Sequence, residues 1–112
     1  MEQSTKTEIT PLELKRRLDS GEQVFILDIR EPNERLLCKL PDSAHIPMGE
    51  VPQKLPDLEG QRNKDIVVYC RSGGRSARVV AFLTGQGFAR AINLTGGILR
   101  WADEVDPSIS KY

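Results

Sequence analysis

The sequence predicts an α/β fold, a single domain with a mostly parallel central sheet of about five short strands and helices on both faces. Three observations predict it. The apolar runs VFILD (Val24–Asp28) and DIVVYC (residues 65–70) lack the alternation of a half-exposed strand and suit strands buried on both sides. Stretches with helical periodicity and helix caps alternate with such runs. The length of 112 residues is that of one ordinary domain.

Residues 1–8 are polar and read as a mobile N-terminal tail, 9–105 as the domain and 106–112 as a C-terminal tail. In TPLELKRRLDSG, Thr10 and Glu13 have capping-box spacing, Pro11 suits the first helical position and Gly21 the stop. Leu14 and Leu18 share one face. REPNER is a turn or a short helical start. From Leu36 to Leu58, prolines at 41, 47, 52 and 56 leave loops, a short strand near Ala44–Ile46 and a short helix near Gly49–Leu55. RSARVVAFLTGQG is a helix with Val79, Val80, Leu83 and Phe82 inward and Gly87 closing it. RAINL is a further strand, and GGILRWADEV turns on two glycines into a last helix.

Lys+Arg and Asp+Glu balance at 16 each, so no global basic field exists to hold nucleic acid or an anionic membrane. No apolar run approaches the roughly 18 residues of a membrane-spanning helix, and the polar start carries no signal-peptide core, which argues for the cytoplasm. Cys38 and Cys70 are the only cysteines. In a reducing compartment both are expected as free thiols. With one histidine, His45, no zinc site is indicated, and no cofactor is implied.

The chemistry concentrates in CRSGGRS, residues 70–76. A cysteine after an apolar strand is most often a small buried hydrophobe. Here its neighbours argue otherwise. Strand ends carry ligands in open parallel sheets, and both Asp28 and Cys70 stand at such ends. The helix beginning behind Cys70 presents unpaired N–H groups and its positive end. Gly73 and Gly74 let the backbone fold into a cradle for an anion, and Arg71 and Arg75 add fixed positive charge. Each effect favours thiolate over thiol.

Two chemistries need such an activated sulfur: phosphoester hydrolysis through a phosphocysteine, and sulfur transfer through a persulfide. Cysteine phosphatases place an arginine six residues after the cysteine. Here that position is Ser76 and the arginine comes one earlier, at Arg75. The shorter ring suits a terminal sulfur better than a tetrahedral phosphate.

CRSGGRS resembles the active loop of rhodanese domains. LDIRE resembles the Asp-x-Arg element of that family, IPMGE its Ile-Pro stretch and NLTGGILRW its closing Gly-Gly…Trp element. The resemblance runs over essentially the whole chain. It implies that Cys70 carries a persulfide, with Arg71, Ser72, Gly73, Gly74, Arg75 and Ser76 binding the substrate, and Asp28 and Arg30 supporting the loop. ITPLELKRRLDSG and ADEVDPSISKY further resemble the rhodanese domain fused to molybdopterin- and thiamine-pathway adenylyltransferases. That implies delivery of sulfur from thiosulfate or a cysteine desulfurase persulfide to a sulfur-carrier protein or another acceptor, in molybdopterin, thiamine or tRNA thiolation. CKLPDSA, Cys38 to Ala44, departs from the family's Gly-His-Ile-Pro-Gly-Ala, with Asp42 at the second glycine.

Other readings stand beside these. One is a non-catalytic rhodanese-like binding module, against which the intact cysteine loop argues. Another is a small cysteine phosphatase or arsenate reductase. Ser72 and Ser76 are placed either to donate hydrogen bonds to the sulfur or to cap the following helix. Arg30 pairs with Asp28 or with a surface acid. His45, Phe88 and Trp101 read as structural. Cys38 is read as inert, the alternative being a partner that resolves the persulfide as a disulfide.

Overall fold

The structure, a computed structural model, describes residues 7–112. A five-stranded sheet runs in the order β1-β5-β4-β2-β3, and every neighbouring pair is parallel. The strands are β1 (Glu8–Ile9), β2 (Phe25–Asp28), β3 (Ala44–His45), β4 (Ile66–Tyr69) and β5 (Ala91–Leu94). The helices are α1 (Pro11–Asp19), α2 (Pro32–Leu37), α3 (Leu55–Leu58), α4 (Gly74–Gly85) and α5 (Gly97–Glu104). The expected α/β sheet, with helices on both faces, is the one observed.

Alternation along the central strand divides the core. Ile66, Val68 and Cys70 join one cluster with Leu58 of α3 and Val79, Val80 and Leu83 of α4. Val67 and Tyr69 join a second cluster with Leu14 of α1 and Ile98 and Trp101 of α5. Both faces are therefore filled, which is why the strands read as unbroken apolar runs. Phe88 and Trp101 lie in these cores as expected, and Phe82 packs at the edge of the first.

Local signals acted as read in α1. Thr10 Oγ1 accepts the Glu13 N–H at 3.2 Å, and Glu13 accepts the Thr10 N–H at 2.8 Å, closing the capping box. REPNER begins α2, with Glu31 and Glu34 forming a similar box. The helix expected near Gly49–Leu55 is instead two 3₁₀ turns, Met48–Glu50 and Pro52–Lys54, before the short α3. Pro52 and Pro56 each lack the N–H that a continuous helical ladder needs. Asp42 keeps the glycine-like turn, with φ of 57°. Aspartate is among the few residues that enter this region readily.

The two tails differ from a plain reading of polarity. Residues 1–6 of the N-terminal segment lie outside the described residues. Glu8, placed by its polarity in that tail, opens β1, and its strand pairs with β5 at Asn93. A two-residue edge strand is too short to leave a periodic signature. In the segment 106–112, Ile109 and Tyr112 pack against the second core cluster.

Candidate active site at the mouth of helix α4

Cys70 follows β4 directly, and its sulfur faces the start of α4. Gly73 N–H donates to Sγ at 3.1 Å and Ser76 N–H at 3.4 Å, while Ser76 Oγ lies 3.3 Å away. Gly73 makes the turn with φ of 104°, a conformation that an L side chain resists. Burial pushes the Cys70 thiol up. The Ser76 hydroxyl and the N–H groups of Ser76, Gly73 and Ser72 outweigh it, so the thiol lies below its ordinary value. Cys70 is only 1% exposed.

The loop's carbonyls are held from the other side. Ile98 N–H donates to the Cys70 carbonyl at 2.9 Å and Leu99 N–H to that of Arg71 at 3.1 Å, both from the first turn of α5. With its oxygens drawn toward α5, the loop turns N–H groups toward the sulfur. Two helix N-termini thus divide the loop, one serving its sulfur and the other its carbonyls. Gly97 permits this close approach. A Cβ there would stand 2.6 Å from the Cys70 carbonyl oxygen.

Ser76 is the third residue of α4 and fully buried. Gly73 occupies the cap position, so the hydroxyl serves the sulfur's surroundings rather than capping. Its other neighbour is Asn93 of β5, with Oγ 2.5 Å from Oδ1. Asn93 Nδ2 in turn donates to the Gly73 carbonyl and to the Glu8 carboxylate. Neither Asn93 nor Glu8 was singled out from the sequence. The available signal for Asn93 was an amide inside the otherwise apolar run AINL.

Both loop arginines are engaged within the chain. Arg75 forms a two-pronged pair with Glu34 of α2, at 2.8 and 2.9 Å. That contact, above all, holds the Glu34 carboxyl down to about 2. Tyr112 donates its hydroxyl to Glu34 at 2.9 Å. Arg71 Nε donates to the Tyr112 carbonyl oxygen at 2.7 Å, and its guanidinium lies over the Tyr112 ring. Glu34 and Tyr112 are the other residues that the sequence reading did not place at this site.

Asp28 and Arg30 form a completely buried pair. Arg30 Nε and Nη2 reach the two Asp28 oxygens at 2.9 and 2.8 Å. Burial pushes the Asp28 carboxyl up, but the hydrogen bonds from Arg30 outweigh it and hold it below its ordinary range. Among the described partners, Asp28 meets the Cys70 region through Tyr69, whose hydroxyl donates to it at 3.0 Å. Arg30 reaches the Cys38 carbonyl and the Tyr112 hydroxyl, at 2.6 and 2.9 Å. The pair therefore braces the Cys38 segment and Tyr69, one residue from the loop. His45 Nε2 bonds the Arg30 carbonyl oxygen at 2.7 Å, a structural contact. Cys38 is a free thiol at the edge of the second core cluster, whereas Cys70 belongs to the first.

Residues 10–104 match the rhodanese-like domain family. The chain belongs to this family. Among relatives of the rhodanese-like chain is a protein named sulfurtransferase from Allochromatium vinosum. It is 40% identical over 95 residues, which are 85% of this chain and 87% of that one. The probable adenylyltransferase/sulfurtransferase MoeZ of Mycobacterium tuberculosis is 36% identical over 93% of this chain, and the match spans 26% of MoeZ. Among solved structures, a rhodanese-like domain protein from Staphylococcus aureus superposes with a TM-score of 0.81 and 32% identity, covering 95% of this chain and 98% of that one. No helix among the described residues of this rhodanese-like domain is long and apolar enough to cross a membrane.

Proposed function

We propose that the protein is a cytoplasmic sulfurtransferase in which Cys70 carries the sulfur as a persulfide. The observation that carries this reading is the convergence of donors from Gly73 and Ser76 on the Cys70 sulfur. Donors so placed stabilise negative charge on sulfur, and a thiolate is the nucleophile that persulfide formation needs. The family relationship and the sulfurtransferase named among its relatives support the same reading. The residue six after Cys70 is a buried serine and not an arginine, which favours sulfur over phosphate as the transferred group.

The Cys70 thiolate attacks the outer sulfur of a small anionic donor such as thiosulfate. The S–S bond of the donor breaks, sulfite leaves with the electron pair, and Cys70 becomes a persulfide. An acceptor nucleophile then takes the outer sulfur and returns the thiolate, so the cycle is redox-neutral. Arg71 and Arg75 receive the donor's charge once their present partners, Tyr112 and Glu34, give way. Ser72, Gly73, Gly74 and Ser76 line the cradle, and Asp28 and Arg30 hold its base. Cyanide serves as acceptor in an assay. In the cell the donor is a protein persulfide, as on a cysteine desulfurase, and the acceptor a sulfur-carrier protein; relatives named adenylyltransferase/sulfurtransferase and putative sulfur carrier protein support a relay of this kind.

Mass spectrometry after thiosulfate treatment tests the reading. A gain of about 32 Da, one sulfur atom, is expected on the Cys70 peptide, as a thiolate nucleophile requires. Its absence from folded protein refutes the proposal.

A further inference from the structure

Ser76 has one hydroxyl proton and two buried acceptors within reach. Its Oγ lies 2.5 Å from Asn93 Oδ1 and 3.3 Å from Cys70 Sγ, and all three residues are buried. The Asn93 amide is not free to resolve the conflict. Its Nδ2 lies 3.2 Å from the Gly73 carbonyl oxygen and 3.2 Å from each Glu8 carboxylate oxygen. All of these are acceptors, so an inverted amide would set oxygen against oxygen. Thr95 Oγ1 donates to the same carboxylate at 2.7 Å and helps to hold it. Oδ1 therefore faces Ser76 and depends on its proton.

The two protonation states of Cys70 make opposite demands on that proton. A thiol donates its own hydrogen to Ser76 Oγ while Ser76 donates to Asn93, and every group is satisfied. A thiolate can only accept. The proton is then contested: a hydroxyl turned to sulfur leaves Asn93 Oδ1 buried without a donor, and one kept by Asn93 leaves the thiolate with its backbone N–H donors alone, and either loss is unfavourable.

We propose that Glu8 and Asn93 are positioning residues that set the acidity of Cys70: Glu8 fixes the Asn93 amide, and Asn93 competes with sulfur for the Ser76 proton. The inference rests on the sulfurtransferase reading only for its use in a cycle. In the unloaded enzyme the hydroxyl turns to the thiolate, whose proton has gone to solvent. In the persulfide the charge moves to the outer sulfur, Cys70 Sγ becomes a neutral divalent atom, and the hydroxyl returns to Asn93. The turn of the hydroxyl changes only hydrogen bonds; the S–S bond of the persulfide forms in the donor step, with sulfite leaving.

Other charges around Cys70 are accounted for separately. Arg75 of α4 is paired with Glu34 of α2, and Arg71 of the loop is engaged by Tyr112. Glu8 of β1 reaches the sulfur only through Asn93 and Ser76. The first turn of α5 carries no acidic residue.

The test is the rate of iodoacetamide alkylation at Cys70, read peptide by peptide across pH. Wild type, Glu8→Gln, Asn93→Leu, Ser76→Ala and the Glu8→Gln/Ser76→Ala double variant are compared. Only thiolate reacts, so the midpoint of the profile reports the acidity of the sulfur. Asn93→Leu is expected to move the midpoint to lower pH, with about tenfold faster alkylation on the acid limb, one decade for each pH unit. Glu8→Gln, at an exposed edge, moves it the same way by about threefold. Ser76→Ala moves it to higher pH, and adding Glu8→Gln to Ser76→Ala changes the rate by less than about twofold. Unmoved midpoints in Glu8→Gln and Asn93→Leu overturn the proposal. So does a Glu8→Gln effect that persists undiminished without the Ser76 hydroxyl, since that would be plain charge. Alkylation needs no sulfur donor, so a failed persulfide assay and a failed competition are separate results.

Discussion

Replacing Gly97 by alanine should weaken the domain and the acidity of Cys70 together. Gly97 has φ of +62°, and a Cβ there would lie 2.5 Å from the Arg71 carbonyl carbon and 2.6 Å from the Cys70 carbonyl oxygen. The left-handed backbone costs an alanine about 1–2 kcal/mol. Relief of the clash moves α5 off the loop and loses the Ile98 and Leu99 hydrogen bonds to Cys70 and Arg71, each worth about 1 kcal/mol net. The expected loss is about 3–4 kcal/mol, against a typical domain stability of about 5–15 kcal/mol. The variant should fold but unfold at lower urea. Its alkylation profile should move to higher pH, because a loop whose carbonyls are released no longer aims its N–H groups at sulfur. Gly49→Ala is the control. Its Cβ would meet nothing within 4 Å, and its effect should stay within about 0.5 kcal/mol. The reasoning fails if Gly97→Ala matches Gly49→Ala in urea and keeps the wild-type alkylation midpoint.

Two further outcomes follow from the ion pairs. Asp28→Asn leaves the Arg30 guanidinium buried without its counter-charge, so urea unfolding should show a loss of about 3–5 kcal/mol; a loss below about 1 kcal/mol would contradict the pairing. Glu34 is held at about 2 against an ordinary 4.5, so its contribution is complete above pH 4.5 and lost as pH falls through about 2. In Glu34→Gln the stability curve should be flatter across that window, and the released Arg75 should lower the KM for thiosulfate; an unchanged curve and a raised KM would count against both roles.

What the sequence made legible was what lies contiguous in it. The cysteine, its glycines and its arginines fall within seven consecutive residues, and the backbone alone brings their N–H groups together. The strands at Val24–Asp28 and residues 65–70 were visible because a sheet covered on both faces requires apolar residues at every position. The partners of that loop were not legible, because topology supplies them. Asn93 reaches Ser76, and Glu8 reaches Asn93, only because β5 lies between β1 and β4. Glu34 and Tyr112 come from α2 and from the segment after α5 to occupy the two arginines. Charge counted along the chain makes CRSGGRS strongly basic. In space, Glu34 offsets Arg75, and the groups that lower the Cys70 thiol are hydrogen-bond donors. The 3₁₀ turns after β3 were misjudged in type because prolines forbid a helix without stating what replaces it.

The grip of α5 on the Cys70 and Arg71 carbonyls also sets an order in time. The cysteine leaves the ribosome before the residues that shape its loop. Until Gly97 to Leu99 have been made and α5 has docked through Ile98 and Trp101, nothing fixes the carbonyls, and the thiol belongs to a flexible chain with the acidity of an ordinary cysteine. Synthesis at about 5–20 residues per second makes that interval a matter of seconds. The donors around Cys70 Sγ therefore take their final arrangement only after the C-terminal helix has been made and docked.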